Sequence, residues 1–100
     1  MARKHKFLGA DFSNQWEESY ERLQNDQQKS TDKVVMAIIK GELTPGMQPK
    51  PIQPSKYYDE ARINDGDRVV YRVENGLALF VDIVPHDLIN KYGQPKKKSP

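Results

Sequence analysis

The segment from Tyr57 to Val84 constrains the fold most, because it contains three short β-rich runs separated by glycine turns. The runs are Tyr57 to Ile63, Arg68 to Val73 and Leu77 to Val84, and the stretches between them are "NDGD" and "ENG". Asx-Gly pairs suit the tight turns of β-hairpins, so consecutive runs should lie side by side. The segment therefore predicts a three-stranded antiparallel meander.

Two amphipathic helices are predicted ahead of the meander. The first runs from about Ser13 to Gln28 and carries an apolar stripe at helical spacing: Phe12, Trp16, Tyr20 and Leu23. The second has a possible cap in "STD" at residues 30–32, ends at Gly41 and carries its own stripe: Val34, Val35, Ile38 and Ile39. Both stripes are typical of core packing, and the helices should lie antiparallel across a short turn.

The connector from Glu42 to Lys56 contains four prolines, which disfavour a helix or a central strand. It should run extended across a surface, with Met47 and Ile52 as candidate anchors. After the meander, Leu88, Ile89 and Tyr92 recur at helical spacing and Gly93 follows as a stop, which predicts one short C-terminal helix.

The charge distribution separates a body from two basic ends. Of the 16 basic side chains, six lie in the end segments 1–6 and 94–100, and the residues between them carry ten basic and all 14 acidic side chains. We expect one domain over residues 7–93, flanked by a basic N-terminal segment and a flexible Lys/Pro tail. The body has an excess of four negative charges, which disfavours a broad nucleic-acid footprint.

Composition excludes several classes of protein. The chain has no cysteine, so it has neither disulfides nor thiolate metal sites, and no cofactor is expected. It contains no apolar run of about 18 residues, and its first residues lack the apolar core of a signal peptide. We expect a cytoplasmic protein without a membrane partner.

Strand alternation predicts where polar side chains gather. The aliphatic face of the sheet should be buried under the helices, which leaves an open face with five polar side chains: Arg62, Arg68, Arg72, Asp82 and His86. A histidine at a strand end can serve as general acid or base, and arginines can grip phosphate. Together they fit RNA cleavage, in which the 2′-hydroxyl attacks the adjacent phosphate.

The same residues also allow a purely structural interpretation. His86 could mark the start of the last helix, where the helix dipole favours the following Asp87. Arg68 and Arg72 could form cross-strand ion pairs with Asp82 and Glu60. Residue spacing alone leaves both interpretations open.

Three stretches within residues 7–93, "GELTPGM", "YYDEARINDGDRVVYRV" and "LALFVDIVPHDLINKYG", resemble the RelE/ParE superfamily of bacterial toxins. The resemblance implies an α+β, RelE-like fold in which two N-terminal antiparallel helices pack on a three- to four-stranded antiparallel sheet. It also implies a short first strand near His5 to Gly9 and a short C-terminal helix.

The resemblance implies a function as well. It indicates the toxin of a toxin-antitoxin pair, inhibited by a cognate antitoxin and acting as a metal-independent endoribonuclease on mRNA at the ribosome. The catalytic residues would be His86, Arg68, Arg62 and Tyr92, and the residues that bind RNA phosphates would be Arg72, Lys56 and Lys91. Because the body is acidic, two alternatives stay open: a ParE-like inhibitor of DNA gyrase without enzyme activity, and a protein-interaction module.

Overall fold

A computed structural model describes residues 9–94 as one α+β unit built on a single five-stranded sheet. The predicted N-terminal segment and residues 95–100 of the tail lie outside the described residues. The elements follow in chain order: β1 (Gly9–Phe12), α1 (Asn14–Glu21), α2 (Asn25–Lys40), β2 (Lys50–Pro51), β3 (Asp59–Arg62), β4 (Asp67–Glu74) and β5 (Leu77–Pro85), with 3₁₀ helices at Pro45–Met47 and His86–Tyr92.

The sheet has the order β1-β5-β4-β3-β2, and β3, β4 and β5 form the predicted antiparallel meander. The predicted N-terminal strand, His5 to Gly9, lies outside the described residues except for Gly9. The strand β1 begins at that residue and pairs parallel with β5. The sheet has one strand more than the upper limit predicted, because two residues of the proline-rich connector form β2. Pro51 fits there, since an edge strand needs no second set of hydrogen bonds.

The predicted boundary between the two helices is wrong. α1 ends at Glu21 and α2 already begins at Asn25, so residues 30–32 lie inside α2. The Ser30 and Thr31 hydroxyls donate to the carbonyls of Asp26 and Gln27, one helical turn earlier, at 3.2 and 2.9 Å. These side chains can bond to the backbone within a helix as well as cap one, and here they do the former.

The helix-side core joins both helices to the sheet. Its buried residues are Trp16, Val34, Val35, Ile38, Ala61, Val69, Tyr71, Ala78, Phe80 and Ile83. Phe12, predicted on the helical stripe, belongs to β1 instead. Its ring still lies 5.6 Å from that of Trp16 and 5.0 Å from that of Phe80, so it extends the same aromatic cluster.

A β-bulge corrects the predicted faces of β5. Val70 pairs with Asp82 and Tyr71 pairs with Phe80, which leaves Val81 as an extra residue. An extra residue reverses the alternation of side chains beyond it. Phe80 therefore lies in the helix-side core, although simple alternation placed it on the face of His86.

The opposite face of the sheet is covered, not open as predicted. A second cluster of buried residues, Ile52, Val70, Val84 and Ile89, brings the connector and the last 3₁₀ helix onto the sheet. The anchor predicted at Ile52 is confirmed, since its side chain is buried there, and Met47 packs against the helix-side core. Within residues 9–94, no helix is long and apolar enough to cross a membrane.

Candidate functional site

The loop between β3 and β4 fixes the backbone of His86 at the end of β5. Pro85 closes β5 in an extended conformation, and the His86 amide then donates to the carbonyl oxygen of Gly66 at 2.7 Å. The His86 side chain is exposed, and no group within residues 9–94 forms a hydrogen bond to its ring. The backbone of His86 is thus fixed at the end of β5, while both ring nitrogens stay available.

A cavity of about 300 Å³ lies beside His86. We call it the His86 cavity; β2, the connector, β3 and the last 3₁₀ helix form it, and its lining includes Lys50, Ile52, Gln53, Glu60, His86, Ile89 and Asn90. The set combines an imidazole, a carboxylate, an ammonium and an amide. These groups can exchange protons with a bound molecule and can bind an anion.

Glu60 is the functional candidate that sequence reasoning missed. The sequence indicated it only as an ion-pair partner for an arginine of β4, yet its buried side chain lines the His86 cavity. Its Oε1 atom lies 3.7 Å from Nε of Arg68, which provides a compensating charge. Strand alternation alone could not reveal this role, because β2, which pairs Lys50 with Glu60, carries almost no sequence signal.

Arg68 is held by the loop between β3 and β4. Its Nη1 atom donates to the carbonyl oxygens of Asn64, Asp65 and Asp67 at 2.8, 3.3 and 3.0 Å. Its side chain is only 11% exposed. Arg68 therefore stabilises the loop whose Gly66 carbonyl accepts from the His86 amide. It also offsets the charge of Glu60, so it contacts the supports of the His86 cavity and not the cavity itself.

None of the three predicted arginines lines the His86 cavity, although Arg68 contacts Glu60 in its wall. Arg62 forms an ion pair with Asp65 and borders a separate cavity next to α2. Arg72 lies four residues beyond Arg68, about 13 Å along β4. Its Nη1 atom donates to the Tyr57 carbonyl oxygen at 2.9 Å, and its guanidinium lies 3.9 Å from the centroid of the Tyr57 ring.

The half-buried Tyr92 and the buried Asp82 form a pair that joins α1, β5 and the last 3₁₀ helix. The Tyr92 hydroxyl donates to Oδ2 of Asp82, and Oδ1 accepts from the Ser19 hydroxyl at 2.6 Å and from the Ile83 amide at 2.7 Å. Burial, reinforced by this bond to Asp82, raises the pKa of Tyr92. Asp82 thus neither pairs with an arginine nor orients His86.

The two lysines expected to bind RNA are exposed in the structure. Lys56 has a left-handed backbone (φ 61°) at the end of the connector, and Nζ of Lys91 lies 5.3 Å from the centroid of the Tyr92 ring. Lys50, which the sequence did not single out, is the lysine on the wall of the His86 cavity. Within residues 9–94, no group of three or more His, Asp or Glu side chains is arranged to hold a metal ion.

No protein-family model and no curated protein sequence matches the chain, but solved structures do. YafQ from Escherichia coli BL21(DE3) superposes with a TM-score of 0.69 at 17% identity, over 78% of this chain and 92% of that one. The YoeB dimer from Staphylococcus aureus matches with a TM-score of 0.66 at 24% identity, over 79% of this chain and 97% of that one.

A further match is the E. coli DinJ-YafQ toxin-antitoxin complex, with a TM-score of 0.69 at 18% identity over 78% of this chain and 91% of that chain. At these identities the likeness shows the fold. The described residues share the fold of these solved structures, so the α+β, RelE-like fold that the sequence resemblance implied is confirmed.

Proposed function

We propose that the chain is the toxin of a toxin-antitoxin pair and that it cleaves mRNA by attack of a 2′-hydroxyl on the adjacent phosphate. The observation that carries this proposal is the convergence of His86 and Glu60 on one cavity, with Lys50 beside them. Cleavage of this kind needs one group to take a proton, a second to donate one, and a cation near the phosphate.

Each residue of the cavity has a defined role in the proposed reaction. The Glu60 carboxylate takes the proton of the 2′-hydroxyl, whose oxygen bonds to phosphorus. Protonated His86 donates its proton to the 5′-oxygen as the phosphorus–oxygen bond to it breaks. The products are a 2′,3′-cyclic phosphate and a free 5′-hydroxyl, and the Lys50 ammonium offsets the charge that gathers on the phosphate.

Fold likeness supports the biological setting. A structural neighbour is a toxin bound to its antitoxin, DinJ-YafQ, and we propose a cognate antitoxin for this chain as well. The ribosome would supply the mRNA in the cytoplasm. A ribosome-held substrate is compatible with an acidic body, because the ribosome, and not the toxin surface, then provides most of the RNA binding.

The test is induced expression in a bacterial host, with growth curves and primer-extension mapping of transcripts at arrest. The wild type should arrest growth and produce discrete cuts. His86→Gln and Glu60→Gln should abolish the cuts, while the matched control His5→Gln should keep them. Normal cleavage by folded His86→Gln protein would refute the proposed role of His86.

The acidic body favours a second candidate, a ParE-like inhibitor of DNA gyrase, because a net negative surface suits a protein target better than RNA. A supercoiling assay with purified protein separates the two functions. Loss of supercoiling with intact cellular RNA would support the gyrase inhibitor. Cut RNA with normal supercoiling would support the ribonuclease.

A further inference from the structure

An aromatic cleft of about 400 Å³ lies on the helix side of the molecule, where β1 meets α1 and α2. Its apolar lining comes from Phe12, Trp16, Tyr20 and Val35. The Trp16 and Tyr20 rings stack with centroids 6.5 Å apart, and Phe12 is 40% exposed at the edge. Trp16 is only 4% exposed, so Phe12 and the half-buried Tyr20 provide most of the accessible aromatic surface of the cleft. A single exposed apolar residue is ordinary, whereas neighbouring aromatic rings around a cleft are typical of binding sites.

The rim of this cleft is acidic. Glu17, Glu21 and Asp32 line it, and within the described residues no basic side chain does. Asp32 accepts a hydrogen bond from the Tyr20 hydroxyl at 2.8 Å, which fixes one carboxylate against the aromatic lining. We call this surface the acidic cleft. It shares no lining residue with the His86 cavity.

The two glutamates of the acidic cleft lie one helical turn apart, a spacing at which like charges repel. The helix dipole favours Glu17, which lies in the first turn of α1, but disfavours Glu21, its last residue. No basic residue lies in that last turn, and the basic residue that follows it is the C-cap Arg22. A bound cation would relieve both effects, so the charge pattern is complementary to a positively charged partner.

We infer that the acidic cleft docks a basic segment of a protein partner, which inserts an arginine between the carboxylates and against the aromatic rings. Guanidinium groups stack on aromatic faces and pair with carboxylates, so one side chain satisfies both parts of the cleft. RNA is disfavoured here because three carboxylates repel phosphate. The inference rests on the proposed function only in assuming that the chain has a protein partner.

The chain carries its own reporter, because Trp16 is its single tryptophan. The probe is a 12-residue peptide with three arginines, compared with the same peptide carrying neutral citrulline in their place. We expect the arginine peptide to change Trp16 fluorescence with a saturable curve that weakens as salt is added. The citrulline peptide should leave the fluorescence unchanged.

Matched charge variants locate the binding. Glu17→Gln/Glu21→Gln removes two rim carboxylates and should weaken binding at least tenfold. Glu18→Gln/Glu42→Gln removes two exposed carboxylates outside the acidic cleft. Its affinity for the arginine peptide should stay within twofold of that of the wild type. Circular dichroism checks the fold of both double variants.

Three outcomes would overturn the inference: no binding of the arginine peptide, equal binding of the citrulline peptide, or equal losses in the two double variants. RNA cleavage is measured separately on the same proteins. Because the acidic cleft and the His86 cavity have no residue in common, peptide binding without cleavage would sustain the inference and reject the ribonuclease.

Discussion

At the scale of single residues, the hydrogen bond from the half-buried Tyr92 to the buried Asp82 supports a structural role for Tyr92. Tyr92→Phe removes the hydroxyl that donates to the Asp82 carboxylate, which is only 2% exposed. We expect a loss of about 1.5–3 kcal/mol in the free energy of unfolding, the usual range for a hydrogen bond to a charged group. Urea unfolding followed by circular dichroism measures the change.

The matched control is Tyr58→Phe, which removes a hydroxyl from the same cluster without a change at Asp82. It should cost clearly less stability than Tyr92→Phe. At a temperature where both variants are folded, RNA cleavage by Tyr92→Phe should match the wild type. Lost cleavage in a fully folded Tyr92→Phe protein would instead restore Tyr92 as a catalytic residue.

At the scale of elements, Gly93 sets the distance between the connector and the last 3₁₀ helix. A Cβ atom at Gly93 would lie 1.9 Å from the carbonyl oxygen of Gln53, a backbone atom that cannot simply rotate away. Gly93→Ala must therefore push the connector outward, at about 1–3 kcal/mol, the usual cost of overpacking. Because Gln53 lines the His86 cavity, we also expect slower RNA cleavage.

Gly46→Ala is the control for this substitution, since it lies in the same connector. The added Cβ would meet only Oγ1 of Thr44, at 3.8 Å, an ordinary contact. In thermal unfolding and in a cleavage time course, Gly46→Ala should behave like the wild type. Gly93→Ala should have a lower melting temperature and a slower rate of RNA cleavage. Equal melting temperatures for the two variants would contradict the proposed close packing.

The elements that could be predicted from the sequence are those with a local signal. The "ENG" turn is an example: Asn75 and Gly76 both adopt left-handed backbones, as a tight hairpin between β4 and β5 requires. β2 could not be predicted, because two residues in a proline-rich connector become a strand only through pairing with β3. The predicted helix boundary is wrong because Ser30 and Thr31 are residues favoured at caps, whereas here both lie inside α2 and Thr31 is buried against the core.

The candidate site was predictable to the same extent. His86 at a strand end is a local feature, and it does border a cavity. The predicted grouping of the three arginines around His86 is not observed. Four residues along β4 already separate Arg72 from Arg68, and only the structure shows that the loop carbonyls hold Arg68. Glu60 was missed because its role depends on the cover that the connector forms over the second face of the sheet.

At the scale of the whole molecule, burial of tyrosines couples stability to alkaline pH. Burial raises the pKa of Tyr71 from 10.0 to about 12, and a carboxylate at Asp59 adds to the increase. The unfolded chain releases this phenolic proton near pH 10, whereas the folded protein keeps it until about pH 12. The stabilising contribution is therefore complete below pH 10 and declines as the pH rises above that value.

Tyr71→Phe should weaken this dependence on pH, because it keeps the buried ring of Tyr71 and removes only the ionising hydroxyl. We expect the free energy of unfolding of the wild type to fall from pH 9 to pH 11, and that of Tyr71→Phe to fall by a smaller amount. Urea titrations at pH 7, 9, 10 and 11 measure the difference. Between pH 7 and 9 the two curves should run parallel, which serves as the internal control. An equally steep alkaline decline in both proteins would show that the Tyr71 hydroxyl ionises at its ordinary pKa in the folded core.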